Sequence, residues 1–325
     1  MNSDPEGRRR KVLLIFPLSF YSFANEIQKG LSAAEYDVIM ANHEYPASII
    51  GKILGNLRIF APLSLITELV IYRNFIANRR YDLVLIFKGR GISRRLVEKL
   101  RQAAPRIIAY NFDSFGYNPS PLRWYKYVDK YCTFDYVDSK QYSIPLVELF
   151  SSAPVDEVPK QNIYDISAIL RNHSKRLKFL DAVLKALPNR KTFIYILELN
   201  MLTFILNFLK NPFLYMKYRS NIHFKPIPYR NYVSVLKNSS FTLDYAHPKQ
   251  SGITIRCFEA LSTQTKIITN NRFVKCNSFF NSSNTMIFDG EVSSKDLKKE
   301  YETLRDTIPA KHCRSVSDFL KELLA

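Results

Sequence analysis

Short, largely apolar runs alternate with segments of helical periodicity along this 325-residue chain, and that alternation constrains the fold more than any other feature. Lys11–Phe16, Tyr36–Ala41, Leu83–Phe87 and Arg106–Asn111 read as strands, with helices at Phe23–Ala33 and Ser93–Ala103 and a long apolar stretch near Pro62–Ile76. A βαβα order predicts a parallel sheet covered by helices on both faces, with functional residues gathered at the carboxyl ends of the strands. A second alternation follows. Tyr164–Leu170, Thr192–Leu197, Ile222–Phe224, Phe241–Asp244 and Lys266–Thr269 read as strands, and Lys175–Leu187, Asn231–Lys237 and Ile253–Leu261 as helices. The stretch 151–162 holds Pro154 and Pro159 among polar residues, so two α/β domains are expected, 1–150 and 163–325, with a C-terminal helix able to cross back.

The densest polar stretch is Asp244–Glu259, at a predicted strand-to-helix turn. Ser251 and Gly252 are expected to open the helix, whose free N–H groups and partial positive charge suit a phosphate, and Arg256 one turn on adds a fork of donors. Glu259 shares a face with Arg256 at i, i+3, so a carboxylate for sugar hydroxyls and a cation for phosphate could meet one extended ligand. Singly, each feature also fits an ordinary capped helix. Asp244, His247, Gln250, Ser251, Thr254, Arg256 and Glu259 together exceed what capping needs, and the ligand that would use them resembles a nucleotide sugar.

The net charge of +18 calls for an anionic partner. Nucleic acid is disfavoured, because the basic residues are scattered and no zinc-finger or RNA-binding signature occurs; an anionic membrane surface fits better. Trp124–Tyr127, and Phe204–Tyr218 with Lys210, Lys217 and Arg219, are the aromatic and basic segments expected at such an interface. No run of about 18 apolar residues is uninterrupted, and Val12–Phe16 is short for a signal-peptide core. Four widely spaced cysteines without a C-x-x-C pair point to reduced thiols in a cytoplasm.

Lys88, Gly89, Arg90 and Gly91 sit where a strand hands over to a helix. Arg94 replaces the third glycine of a dinucleotide fingerprint, so the glycines serve either a backbone approach to an acceptor or diphosphate, or simply a tight turn. Asp113 follows the fourth strand and is the first choice for a general base, ahead of Asp135, Asp138 and Glu26. Arg171, His173 and Arg176 follow the first strand of the second domain, where a basic side chain could reach a pyrophosphate. No Asp-x-Asp motif is present, so no cofactor and no essential metal are expected, helix dipole and Arg meeting the leaving-group charge.

The run D-x-x-H-P-x-Q-S-G-I-T-x-R-x-F-E-A-L from Asp244, followed by K-I-I-T-N-N, resembles the donor-binding half of bacterial GT-B glycosyltransferases that build lipopolysaccharide and capsule. Arg79–Gly89, Ile108–Ser114, Cys132–Asp135, Tyr164–Ile169 and Ser174–Leu177 match the same group in the same order. The resemblance implies two Rossmann-like domains facing across a cleft. It also implies transfer of a sugar from a nucleotide-activated donor to a lipid-linked or glycan acceptor, at the inner face of the plasma membrane. Arg176, Asp244, Gln250, Ser251, Gly252, Thr254, Arg256 and Glu259 would contact the donor, His247 the leaving phosphate as in some CMP-sugar transferases, and Lys88–Gly91 with Asp113 the acceptor side. A non-catalytic binding scaffold with the same fold is the alternative.

Overall fold

The computed structural model describes residues 9–18, 21–153, 161–290 and 292–325. They form two units. The first holds β1 (Arg10–Phe16), α1 (Tyr21–Ala33), β2 (Tyr36–Asn42), α2 (Ile49–Asn56), α3 (Phe60–Ile71, continued by a π-helical turn to Ile76), β3 (Leu83–Phe87), α4 (Arg94–Ala103), β4 (Ile107–Asn111), β5 (Lys130–Thr133) and α5 (Tyr136–Tyr142). Its sheet is parallel, in the order β2-β1-β3-β4-β5. Every residue of β3 and β4 is buried, which explains why these strands read as unbroken apolar runs.

The second unit comprises β6 (Tyr164–Arg171), α6 (Arg176–Ala186), β7 (Thr192–Leu197), α7 (Met201–Lys210), α8 (Pro212–Lys217), β8 (Ile222–His223), α9 (Tyr229–Lys237), β9 (Ser239–Asp244), α10 (Ile255–Ser262), β10 (Lys266–Thr269), β11 (Thr285–Ile287) and α11 (Ser294–Leu304). Its six strands are also parallel, ordered β11-β10-β9-β6-β7-β8. Phe241, Ile166, Ile196 and Ile268 meet Leu180, Val183, Leu297 and Tyr301 in its core. The expected order of elements is present, with α2, α3, β5, α5, α7, α8, β11 and α11 in addition.

The chain divides at Ser152/Ala153, and two later pieces belong to the first unit, Lys249–Gly252 and Ser315–Ala325. Residues 154–160 of the expected boundary lie outside the described residues. The last piece contains α12 (Val316–Leu324), opened by a Ser315–Asp318 capping box. Phe319 of α12 packs on Tyr110 (ring centroids 4.9 Å apart) and Phe150 (5.1 Å). Lys130 Nζ donates to the carbonyls of Glu322 and Leu323, and Arg106 Nη2 to that of Leu324, so two cations close the unpaired C-terminal turn.

At the end of β3, Lys88 (φ 64°) and Gly89 (φ 57°) are both left-handed, and a Cβ on Gly89 would lie 2.4 Å from Trp124 Cζ2. Trp124 is only 1% exposed and packs on Tyr131, so it cannot yield easily. Gly89→Ala is therefore expected to destabilise the protein by about 2–4 kcal/mol through backbone strain and overpacking. Gly116→Ala, whose Cβ would meet nothing closer than 3.5 Å, should leave the melting temperature nearly unchanged in the same calorimetric comparison.

Candidate functional site

In the second unit, neighbouring strands β6 and β9 bring a group of basic side chains together at their carboxyl ends. Arg171 closes β6, His173 lies in the following turn, Arg176 opens α6, His247 follows β9, and Arg256 stands in the first turn of α10. Arg176 Nη2 donates weakly to Tyr245 O (3.4 Å) and Nη1 to Arg171 O (3.5 Å), while the His173 and His247 rings are 6.5 Å apart. Burial, and then the charges of Arg176, Arg171, His247 and Arg256, hold the His173 imidazole down to about 3, so it is neutral at physiological pH. The buried Nε of Arg256 has no hydrogen-bond partner. An anion carrying several oxygens matches this field.

Asp244 is the carboxylate beside the cluster, and it is fully buried (0% exposed). Its Oδ1 accepts from Thr254 Oγ1 (2.7 Å) and Arg256 Nη1 (3.3 Å), and its Oδ2 from Thr269 Oγ1 (3.1 Å). Asp244 and Thr254, expected to contact a donor, instead tie the start of α10 to the ends of β9 and β10. Glu259, expected on ribose hydroxyls, is 4% exposed and accepts from Tyr229 Oη (2.8 Å) and Tyr232 Oη (2.7 Å), linking α9 to α10. Burial raises its pKa.

Ser251 and Gly252 do not open α10, which begins at Ile255. Both belong to the first unit, latched to Asp135. Ser251 N (2.6 Å) and Gly252 N (3.3 Å) donate to Asp135 Oδ2, and Ser251 Oγ to Oδ1 (2.7 Å). Asp135 also caps α5 by accepting from Asp138 N (3.0 Å). The N–H groups reserved for a phosphate are thus committed to a carboxylate. Gly252 is required sterically, since a Cβ there would lie 2.3 Å from the Phe134 ring.

At the carboxyl ends of β3 and β4, Lys88 Nζ and Asp113 Oδ2 are 2.7 Å apart, and Gln250 Nε2 donates to Asp113 Oδ1 (3.2 Å). Gln250 therefore joins Asp113, not the basic cluster. Arg90 forks onto Glu44, and its N–H donates to His43 Nδ1 (3.2 Å), a ring held neutral by burial and by Lys88 and Arg90. A Cβ on Gly91 would lie 2.5 Å from Thr67 Oγ1. Gly89, Arg90 and Gly91 are thus engaged in internal packing and pairing. Of the other base candidates, Asp138 accepts from Phe115 N (2.6 Å) and is pushed up to about 6 by burial, and Glu26 pairs with Lys29 (2.8 Å). Among the described residues, no three His, Cys, Asp or Glu side chains gather to hold a metal ion. The burial of Trp124 corrects its expected interfacial role.

No family model matches the chain, and no curated protein does. Solved structures do. The apo lipopolysaccharide outer core galactosyltransferase WaaB is 12% identical over 97% of this chain and 99% of its own, with a TM-score of 0.55. A glycosyltransferase from Rickettsia africae is 13% identical over 97% and 92%, with a TM-score of 0.55. The UDP-GlcNAc 2-epimerase of Methanocaldococcus jannaschii, in complex with UDP-GlcNAc and UDP, is 12% identical over 97% and 99%, with a TM-score of 0.52. These likenesses establish the fold: two parallel-sheet α/β units of the GT-B kind.

His173 provides a pH test of the basic cluster. Its folded pKa lies below the unfolded value of 6.5, so its neutral burial favours folding above about pH 6.5, and that contribution is lost as pH falls towards 3. A bound anion should reverse the shift. Sulfate, which does not titrate in this range, is expected to raise the His173 pKa and to bind more tightly at pH 5.5 than at 7.5. Both effects should fade in Arg176→Gln, as followed by NMR of the histidine rings.

Proposed function

We propose that the chain is a glycosyltransferase. It would move a sugar from a nucleotide-activated donor to a lipid-linked or surface-polysaccharide acceptor, working as a peripheral protein at the cytoplasmic face of the membrane. The observation that carries this reading is the gathering of Arg171, His173, Arg176, His247 and Arg256 at the carboxyl ends of β6 and β9. Open α/β sheets bind ligands at those ends. One further negative charge develops on a nucleoside diphosphate as the bond from the sugar to its phosphate oxygen breaks, and guanidinium forks with an imidazole meet it by preorganised electrostatics. The transferase and the UDP-bound epimerase that share the fold support a nucleotide-sugar ligand. Transfer is proposed to be metal-independent, and full activity in a chelator would bear this out.

Asp113 is the carboxylate we assign to the acceptor's proton, because Asp135 and Asp138 are committed to backbone N–H groups and Glu26 to Lys29. Lys88 pairs with Asp113, and Gln250 aligns it. The same pairing favours the alternative of a binding scaffold without catalysis, since it occupies both carboxylate oxygens.

Screening UDP-, GDP-, dTDP- and CMP-sugars by thermal shift, then following donor hydrolysis and transfer, separates the readings. A transferase hydrolyses its donor slowly without acceptor, a scaffold leaves it intact, and an epimerase returns an isomeric nucleotide sugar. Arg176→Gln should weaken donor binding about tenfold, equivalent to about 1.4 kcal/mol. Asp113→Asn should reduce transfer at least about 100-fold with donor affinity within about threefold. In Glu259→Gln, donor affinity should hold while the melting temperature falls, since its partners are Tyr229 and Tyr232.

A further inference from the structure

We infer that the outward face of α7 and α8 is the surface by which the second unit docks on an anionic lipid bilayer. This inference rests on the peripheral-membrane element of the reading above and is independent of sugar transfer. Leu202, Ile205, Leu206 and Leu209 form an apolar stripe on the solvent side of α7, and Phe213 and Met216 continue it on α8. Leu209 is 70% exposed and Phe213 89%, so water meets aliphatic and aromatic carbon where a helix on a soluble domain carries polar residues.

The inward face is fixed. Phe204 packs on Tyr215, the Tyr215 hydroxyl donates to the buried Glu198, and Asn172 Nδ2 donates to the same carboxylate (2.6 Å). Lys217 Nζ (2.6 Å) and Tyr218 Oη (3.0 Å) hold Asp181. An Asn200–Thr203 capping box starts α7, and Pro212 starts α8. The apolar stripe is therefore held outward by a polar clasp beneath it.

Charge selects the occupant. Lys210 ends α7, Lys217 ends α8 while pairing with Asp181, and Arg219 follows, with no Asp or Glu from Leu199 to Leu243 in the sequence. A second copy laid on this face would oppose like charges, whereas anionic headgroups complement them and leave the acyl boundary to the leucines and Phe213. Lysines at the ends of such a helix reach headgroups while their stems stay in the apolar layer. Among the described residues no helix is long and apolar enough to cross a membrane, and the ten residues of α7 rise about 15 Å, so it lies in the interface.

The test is co-sedimentation of the full chain with vesicles of phosphatidylcholine, with and without phosphatidylglycerol. Wild type should bind the anionic vesicles preferentially and release as salt rises. The double variant Leu206→Glu/Leu209→Glu alters only exposed positions and should lose about tenfold or more of that binding with its melting temperature and donor hydrolysis unchanged. Ile53→Glu, on the exposed apolar part of α2, should bind as wild type. Equal binding by the double variant, loss of binding in Ile53→Glu instead, or a wild-type dimer that the double variant dissolves would each overturn the assignment while leaving sugar transfer untouched. Failure of wild type to bind either vesicle would overturn both the surface and the membrane element.

Discussion

Asp244, a carboxylate without access to water, is the constraint on which the second unit's site depends. A lone buried charge costs several kcal/mol, and breaking a buried pair costs about 3–5 kcal/mol. Asp244 meets that cost with three side-chain donors from three places in the chain, Thr254, Arg256 and Thr269. The first turn of α10 is thereby held against the ends of β9 and β10, and Arg256 is held among the other bases. Its guanidinium is only partly neutralised, because one Nη faces Asp244 at 3.3 Å and the buried Nε has no partner.

Like charges brought together away from bulk water are unstable unless a counter-ion joins them or one gives up its proton. His173 takes the second course: burial first, and then the charges of Arg176 and Arg171, hold its pKa far below that of a free imidazole. Stability spent in this way is common where a site is built for a charged ligand. The first unit is organised differently. Its polar groups satisfy one another as Lys88–Asp113–Gln250, Arg90–Glu44–His43 and the Asp135 latch, so any ligand there must displace an existing partner.

The sheets were legible in the sequence because parallel strands buried on both faces must be apolar along their length, as Leu83–Phe87 and Ile107–Asn111 are. Lys130–Thr133 and Thr285–Ile287 escaped notice because they are three or four residues long and carry too few apolar side chains to form a pattern. At the site, residue types were legible and partners were not. Ser251 and Gly252 look like a phosphate-binding helix start until Asp135, 116 residues before Ser251, takes their hydrogens. Arg171, His173 and Arg176 were visible as a basic group, but their meeting with His247 and Arg256 follows from β6 lying beside β9, and strand order is not written in local periodicity.

The excess of positive charge also divides once its location is known. Part of it serves the fold: Lys266 is buried, donating to the carbonyls of Leu304, Arg305 and Thr307 at the end of α11 and just past it, and burial draws its pKa down to about 8. Lys88, Arg90 and Arg106 are likewise engaged by carboxylates or helix-end carbonyls. Two further groups of basic residues differ in character. Guanidinium forks and imidazoles at the carboxyl ends of β6 and β9 can each give directed hydrogen bonds to a compact polyanion such as a diphosphate. The lysines flanking an exposed apolar helix have long stems and undirected charge, which suits many mobile headgroups over a hydrocarbon layer. On the reading proposed above, one net charge, read from composition alone, conceals two recognition problems that call for different side-chain chemistry.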